Sequence, residues 1–360
     1  MSDHRASRLP ATLSIYLDLV RFMAAVVVLL SHVWPVAFPE RDLPWPGHDA
    51  VVVFFVLSGF VIAHAANRPG LTLAEYVNHR MARIWSVAIP ALVLAGLIAV
   101  LVGGRVTIDV GAPEVGVTEG VVRILANALS VAQLWWLDLA PPMNGPFWSL
   151  NYEVCYYALF AAWVFAEGWT RTVLLILIAL VAGPKILLLL PVWVLGAVLY
   201  WRRPAMGEWT ALVLFVLSAA AALGLLHSGL GTYIRGTMYS HWFRWMSLTG
   251  GSNQFVGDYL LAIPVAVNFA AAGSLGRFGA PLRLLAGPIR AAAGCTLSAY
   301  LYHVPLMVLA VSVLGLRSWP ALLAISAAIA VLAQVTERQL PLVRRWLWLA
   351  SGHRARAART

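Results

Sequence analysis

The chain has 360 residues, 61% of them apolar and 11% charged, with a mean hydropathy of +0.81 and a formal net charge of +10. A soluble domain carries about 25% charged residues, so this composition excludes a soluble enzyme. Repeated apolar runs of about 20 residues call for an all-α fold, a polytopic integral membrane helical bundle. The excess charge is almost wholly arginine and is spread as topology markers rather than gathered as a nucleic-acid-binding face, so no nucleic-acid partner is expected.

Residues 1–12 are polar and show no small-residue cleavage site behind an apolar run, so the first apolar segment reads as a retained span. Apolar segments then lie near 14–36, 48–66, 85–103, 121–138, 148–166, 170–185, 187–201, 209–226, 258–276, 294–315 and 320–338. Arg5 and Arg8 precede the first; Arg68, Arg80 and Arg83 follow the second; Arg202 and Arg203 precede the eighth. Arg277, Arg283 and Arg290 separate the ninth and tenth, and Arg338, Arg344, Arg345, Arg354, Arg356 and Arg359 follow the last. The positive-inside rule places all of these in the cytoplasm, which forces an even number of crossings. Segment 121–138, with Arg123, Asn127, Gln133 and Asp138, reads as amphipathic or re-entrant; without it about ten spans remain, with both termini cytoplasmic.

The early outer loops then hold Glu40, Asp42, Asp49, Asp109, Glu114 and Glu119. The stretch 227–257, with Tyr239, Trp242 and Trp245, is expected as an outer segment lying in the interface, and Gly183-Pro184 as the break between two short spans. Residues 1–339 form the membrane domain in this reading, and 340–360 a basic cytoplasmic tail.

Within the first span, Asp18, Arg21 and His32 fall on one face. Eleven residues at 100° each return a helix to within about 20° of its starting face, about 16 Å further on. Ionisable groups at membrane depth are costly and face protein or water, which makes this stripe a functional candidate beside its plainer reading as a structural ion pair and a packed histidine. His32, at the outer end, can take a proton from a hydroxyl near neutral pH. Arg21 keeps its charge and suits an anion.

Arg80 and Arg83, at i and i+3 on the cytoplasmic edge of the third span, could clamp phosphates or simply anchor the helix. Pro146 opens a helix on which Ser149, Glu153 and Tyr157 share one face next to Trp148. Glu153 would lie at about the depth of His32, either orienting its imidazole or bonding a neighbouring helix. His303, two residues before Pro305, suits a cavity lining or plain packing. Ser58-Gly59 lets another helix approach closely, and Ser58 lacks both a nearby base and a G-x-S-x-G elbow. Cysteine and histidine spacing suggests no metal, Cys155 and Cys295 make no disulfide framework, and neither a P-loop nor a dinucleotide fingerprint is present.

Five of these pieces, in order, resemble the acyltransferase 3 family of polytopic membrane O-acyltransferases. They are Leu17-Asp18-Leu19-Val20-Arg21-Phe22 followed by His32; Val53-Phe54-Phe55-Val56-Leu57-Ser58-Gly59-Phe60; Arg80-x-x-Arg83-Ile84; Trp148-Ser149-Leu150-x-x-Glu153-x-x-x-Tyr157; and Leu297-Ser298-x-Tyr300-x-x-His303-x-Pro305. One step departs: many members carry Gly-Val-Asp before the Phe-Phe pair, where this chain has Ala50-Val51-Val52 preceded by His48-Asp49.

The resemblance implies a stand-alone enzyme of a bacterial inner membrane that modifies surface polysaccharides or envelope glycans. It would move an acyl group, acetyl by family default, from cytoplasmic acyl-CoA to a hydroxyl on the outer side. The lipid bilayer, acyl-CoA and a glycan are then the partners, with no permanently bound cofactor. It implies catalytic roles for His32, Arg21 and Glu153, donor binding by Arg80 and Arg83, and a substrate pore lined by Asp18, Ser58, Trp148, Ser149, Tyr157 and His303. The competing expectations are a transporter or flippase using the Asp18-Arg21-His32 stripe as a relay, and a scaffold without chemistry.

Overall fold

The computed structural model describes residues 9–41, 43, 45–103, 108 and 110–351. Arg5, Arg8, Asp42, Asp109, Arg354, Arg356 and Arg359, used above as charge markers, lie outside the described residues. The described chain is helical throughout, in the order α1 (Ala11–Ala37), α2 (Gly47–Ala66), α3 (Leu73–Val102), α4 (Val117–Ala128), α5 (Trp148–Phe165), α6 (Gly168–Ala182) and α7 (Pro184–Arg202). There follow α8 (Glu208–His227), α9 (Leu230–Leu248), α10 (Phe255–Ala272), α11 (Ala286–Ala293), α12 (Thr296–Val308), α13 (Ser318–Val335) and α14 (Leu340–Ala350).

Among the described residues, eight stretches are long and apolar enough to cross a membrane: α1, α2, α3, α7, α8, α10, Thr296–Val313 and Ser318–Ala350. The protein is therefore a polytopic helical bundle, with eight such spans where the charge pattern suggested about ten. The two others expected are α5 and α6. α5 opens with Ser149, Asn151 and Glu153, which lower its hydropathy. α6 has 15 residues, about 22 Å at 1.5 Å each, short of a hydrocarbon core of about 30 Å. The break expected at Gly183-Pro184 is present. Gly183 has φ of 80° and meets the backbone of Trp135, and Pro184 starts α7, where its missing N–H costs nothing.

Segment 121–138 does not cross. It is the short α4 followed by turns, pinned by Arg123–Glu119 at 2.8 Å and by Asn127 donating to the Leu139 carbonyl at 2.7 Å. The stretch 227–257 is mostly α9, bent at Trp242, with Tyr233, Trp242, Phe243 and Trp245 exposed. Residues 340–350 form a helix docked along α3, where Asn78 donates to the Arg344 carbonyl at 3.2 Å.

The centre of the bundle is α1, α2, α7 and α12. Buried residues make up 72% of the α12 span and 11% of the α8 span, so α12 is an internal helix and α8 a peripheral one. α2 and α7 pack at glycine distance: Gly59 lies on the Trp193 carbonyl and Gly196 on the Val56 carbonyl, each where a side chain would collide with backbone. The close approach expected at Ser58-Gly59 is thus made by α7. Tyr16 of α1 donates to Asn268 of α10, which donates on to Ser218 of α8 at 3.2 Å.

Candidate active site

A cavity of about 520 Å3 opens between α1, α2, α3, α5, α12 and α14. Its lining carries five arginines, Arg21, Arg68, Arg80, Arg83 and Arg344, with His64 and His79, against one carboxylate, Glu153. Arg80 Nε is buried with no partner among the described residues, a donor held ready beside the cavity. A second cavity of about 580 Å3 shares Arg21, His64 and Arg68 with the first and adds Asp18 and Tyr200. Arginines far apart in sequence thus meet at one end of the bundle, because the C-terminal end of α2, the N-terminal half of α3 and the start of α14 converge there.

Hydroxyls surround the one carboxylate. Glu153 accepts from Ser58 and, at 2.5 Å, from the Tyr157 hydroxyl, while Ser58 accepts from Trp193 Nε1 at 3.1 Å. One turn nearer the start of α5, the Ser149 hydroxyl pairs with that of Tyr300 at 2.6 Å, and Tyr300 also donates to the Pro146 carbonyl at 2.8 Å. The Tyr300 ring lies 6.4 Å from that of His303, and His303 faces His32 at 5.0 Å between centroids.

The two histidines share a contact of 3.3 Å from His303 Nε2 to His32 Nδ1. His303 Nδ1 faces the Ala299 carbonyl at 3.0 Å; a carbonyl only accepts, so this nitrogen carries the hydrogen and Nε2 carries a lone pair. His32 Nδ1 also lies 3.0 Å from both the Val28 carbonyl and Ser31 Oγ. This network assigns the hydrogen of neutral His32 to Nδ1 and its basic lone pair to Nε2.

Sequence reasoning placed Glu153 beside His32. The structure corrects that pairing: Glu153 bonds Ser58 and Tyr157 in the cationic cavity, and the group against His32 is His303. The reason is helical depth, since Ser149 is the α5 residue nearest the Tyr300–His303 level and Glu153 lies one turn beyond it. The cavity brings Arg21, Ser58, Arg80, Arg83, Ser149, Glu153 and Tyr157 together.

Asp18 pairs with Arg21 at 2.9 Å and lines the second cavity. Trp148 turns to the other side, stacked on His48 at 6.0 Å. Arg68 and Arg344 entered the sequence analysis only as topology markers. A signal existed for them, basic residues on the charge-predicted side of the membrane, but it is the one every inner-side arginine shares.

Fold and cavity together define a multi-pass helical membrane protein with an internal cationic chamber; the His32–His303 pair is not part of that chamber's lining. The acyltransferase 3 family model, an acyltransferase domain, matches residues 14–338, and the chain belongs to that family.

Over 147 residues the chain is 30% identical to the exopolysaccharide production protein ExoZ of Rhizobium meliloti (strain 1021), a match covering 38% of this chain and 41% of that protein. Over 189 residues it is 30% identical to protein 2 in the picA locus of Rhizobium radiobacter, covering 49% of this chain and 95% of that protein. The match thus spans less than half the length of ExoZ. No solved structure matches the chain.

Proposed function

We propose that the protein is a membrane O-acyltransferase that moves an acyl group, acetyl in the first instance, from a cytoplasmic acyl-CoA to a hydroxyl of an extracytoplasmic polysaccharide or glycan precursor. The observation that carries this reading is the cationic cavity, with five arginines against a single carboxylate, at the end of the bundle that the charge pattern assigns to the cytoplasm. Such a lining suits the phosphates of coenzyme A, and arginine forks bind phosphate bidentately. The relationship to an exopolysaccharide production protein supports a glycan acceptor.

In this reading Arg80 and Arg83 hold the donor phosphates and Arg21 positions the acyl-CoA where the two cavities join. The acceptor oxygen attacks the thioester carbonyl carbon. A C–O bond forms and the C–S bond breaks, the hydroxyl proton passes to His32 Nε2, and coenzyme A leaves as a thiolate that takes that proton up. His303 accepts from His32 Nδ1–H and keeps the basic nitrogen at Nε2, the part first given to Glu153. Glu153 instead fixes Ser58 and Tyr157 in the wall of the donor cavity.

The test is acyl transfer in reconstituted vesicles, with labelled acetyl-CoA on the arginine side and a bacterial glycan extract on the other. The expected result is label in glycan with wild type and none with His32→Ala of equal thermal stability. Consumption of neither acetyl-CoA nor longer acyl-CoAs by the wild type would overturn the proposal and favour a solute carrier.

A further inference from the structure

One buried titratable pair lies outside the cavity. His48, in the first turn of α2, bonds through Nε2 to Asp258 Oδ1 of α10 at 2.9 Å. The aspartate side chain is 2% exposed and the imidazole keeps 21%. The indole of Trp148 lies over the imidazole, 6.0 Å between centroids and 17° from parallel. That indole is backed in turn by Phe55, by Tyr152 and by Gly251, where any side chain would strike the ring. His48 is therefore fixed at one nitrogen and over one face, and still reaches the surface.

As a mere tie between α2 and α10, this arrangement is expensive. Asp258 Oδ2 is buried without a partner among the described residues, and an unmet buried acceptor costs stability. An oxygen acceptor at this position requires Nε2 to carry the hydrogen. Nδ1 makes no bond to a described residue, so it is the nitrogen left for an incoming group.

The position matters as much as the chemistry. His48, Val51, Phe55, Ser58 and Ile62 stand at i, i+3, i+7, i+10 and i+14 on one face of α2, and the last four line the donor cavity. The pair is the next turn of that stripe, at the end away from the arginines. Beside it, Gly47 packs against Ser31, the residue whose hydroxyl lies 3.0 Å from His32 Nδ1.

We propose that His48, held by Asp258 and Trp148, is the acceptor-binding residue: its Nδ1 hydrogen-bonds a hydroxyl of the sugar that receives the acyl group and so sets acceptor specificity. The inference rests on the acyltransfer reading and names the side of the protein at which the sugar is held. Asp258 and Trp148 are positioning residues, acting through His48.

The test uses the full-length protein in vesicles, with labelled acetyl-CoA and either methyl β-glucoside or methyl β-galactoside as acceptor. Wild type, His48→Gln and Asp258→Asn are compared, with thermal melting of each followed in parallel. The expected result for His48→Gln is an acceptor KM about tenfold higher, the usual effect of losing one hydrogen bond to a partly buried group, with the acetyl-CoA KM unmoved. Asp258→Asn raises acceptor KM by less, because its amide oxygen still accepts from His48 Nε2–H, and the ratio of rates on the two glycosides changes in both variants.

Donor and acceptor KM moving together, or lower melting temperatures with unchanged KM, would make the pair a structural tie and overturn the inference. A wild type that consumes acetyl-CoA with glycan extract yet acylates neither glycoside overturns it too, since the acceptor hydroxyl is then not recognised on a single sugar. Failure to consume any acyl-CoA strikes first at the acyltransfer reading and takes this inference with it, so acyl-CoA consumption tells the two failures apart.

Discussion

The arginine-lined cavity and the histidine pair are built on opposite principles. The cavity gathers its five arginines from α1, α3, α14 and the turn after α2, and they have a single facing carboxylate in Glu153. The histidine pair lies outside that lining: His303 is fully buried, and the groups around the pair are a carbonyl, a serine and a tyrosine. The first gathers charge, and the second sets two imidazoles among neutral groups. A membrane enzyme that takes an anionic donor from one side and a neutral hydroxyl from the other needs that asymmetry, and a uniform channel would lack it.

Substitutions at the histidine end test the chemistry with the largest effects. His32→Ala should lower kcat by about 10² to 10⁴-fold, the usual contribution of a general base, and leave acetyl-CoA binding intact by calorimetry. At the arginine end the effect should appear in binding instead. Arg80→Ala combined with Arg83→Ala should raise the acetyl-CoA KM by about a hundredfold, two charge-assisted contacts of about 1.5–3 kcal/mol each at the low end, with kcat nearly kept. Raising salt from 0.05 to 0.5 M should weaken donor binding in wild type and do so less in this variant. His303→Leu comes next, with a kcat loss of about 10- to 100-fold, comparable with removing other groups that orient a working imidazole, and partial recovery in His303→Gln. If His303→Leu and His32→Ala were equal in kcat and in melting temperature, the orienting role of His303 would be lost.

The contrast also separates what the sequence made legible from what it hid. Helices and the non-crossing of 121–138 could be read because apolar run length and arginine placement act locally, within about 20 residues. The α2–α7 contact was half legible: Ser58-Gly59 announced a close approach, but its counterpart Gly196 lies 137 positions away and carries no mark of partnership. His32 stood out because an imidazole in an apolar run is costly whatever surrounds it. Its partner was misassigned because helix periodicity gives the face of a residue and not its neighbour across the bundle, and packing brought His303 rather than Glu153 against it. The His48–Asp258 pair, 210 positions apart, left no local signal at all.

The smallest expected effect bears on the arginine end most directly, because its sign carries the information. Asp18 and Arg21 are joined at 2.9 Å on one face of α1, with side chains 23% and 18% exposed. Arg21 lines both cavities, whereas Asp18 lines only the second. If Arg21 serves the donor, Asp18 partly neutralises the charge that a phosphate or the developing thiolate would meet. Asp18→Asn keeps an oxygen acceptor for Arg21 and removes the competing charge, so acetyl-CoA KM should fall by about two- to threefold, while stability drops by about 0.5–1.5 kcal/mol, the usual worth of a partly buried hydrogen bond. Arg21→Gln should move KM in the opposite direction, and by more, because it deletes the cation itself. Were the pair only a helix-stabilising contact, both variants would melt earlier and neither would shift KM. Opposite shifts in KM from two residues in one ion pair cannot come from lost stability, so that result would assign Arg21 to the donor.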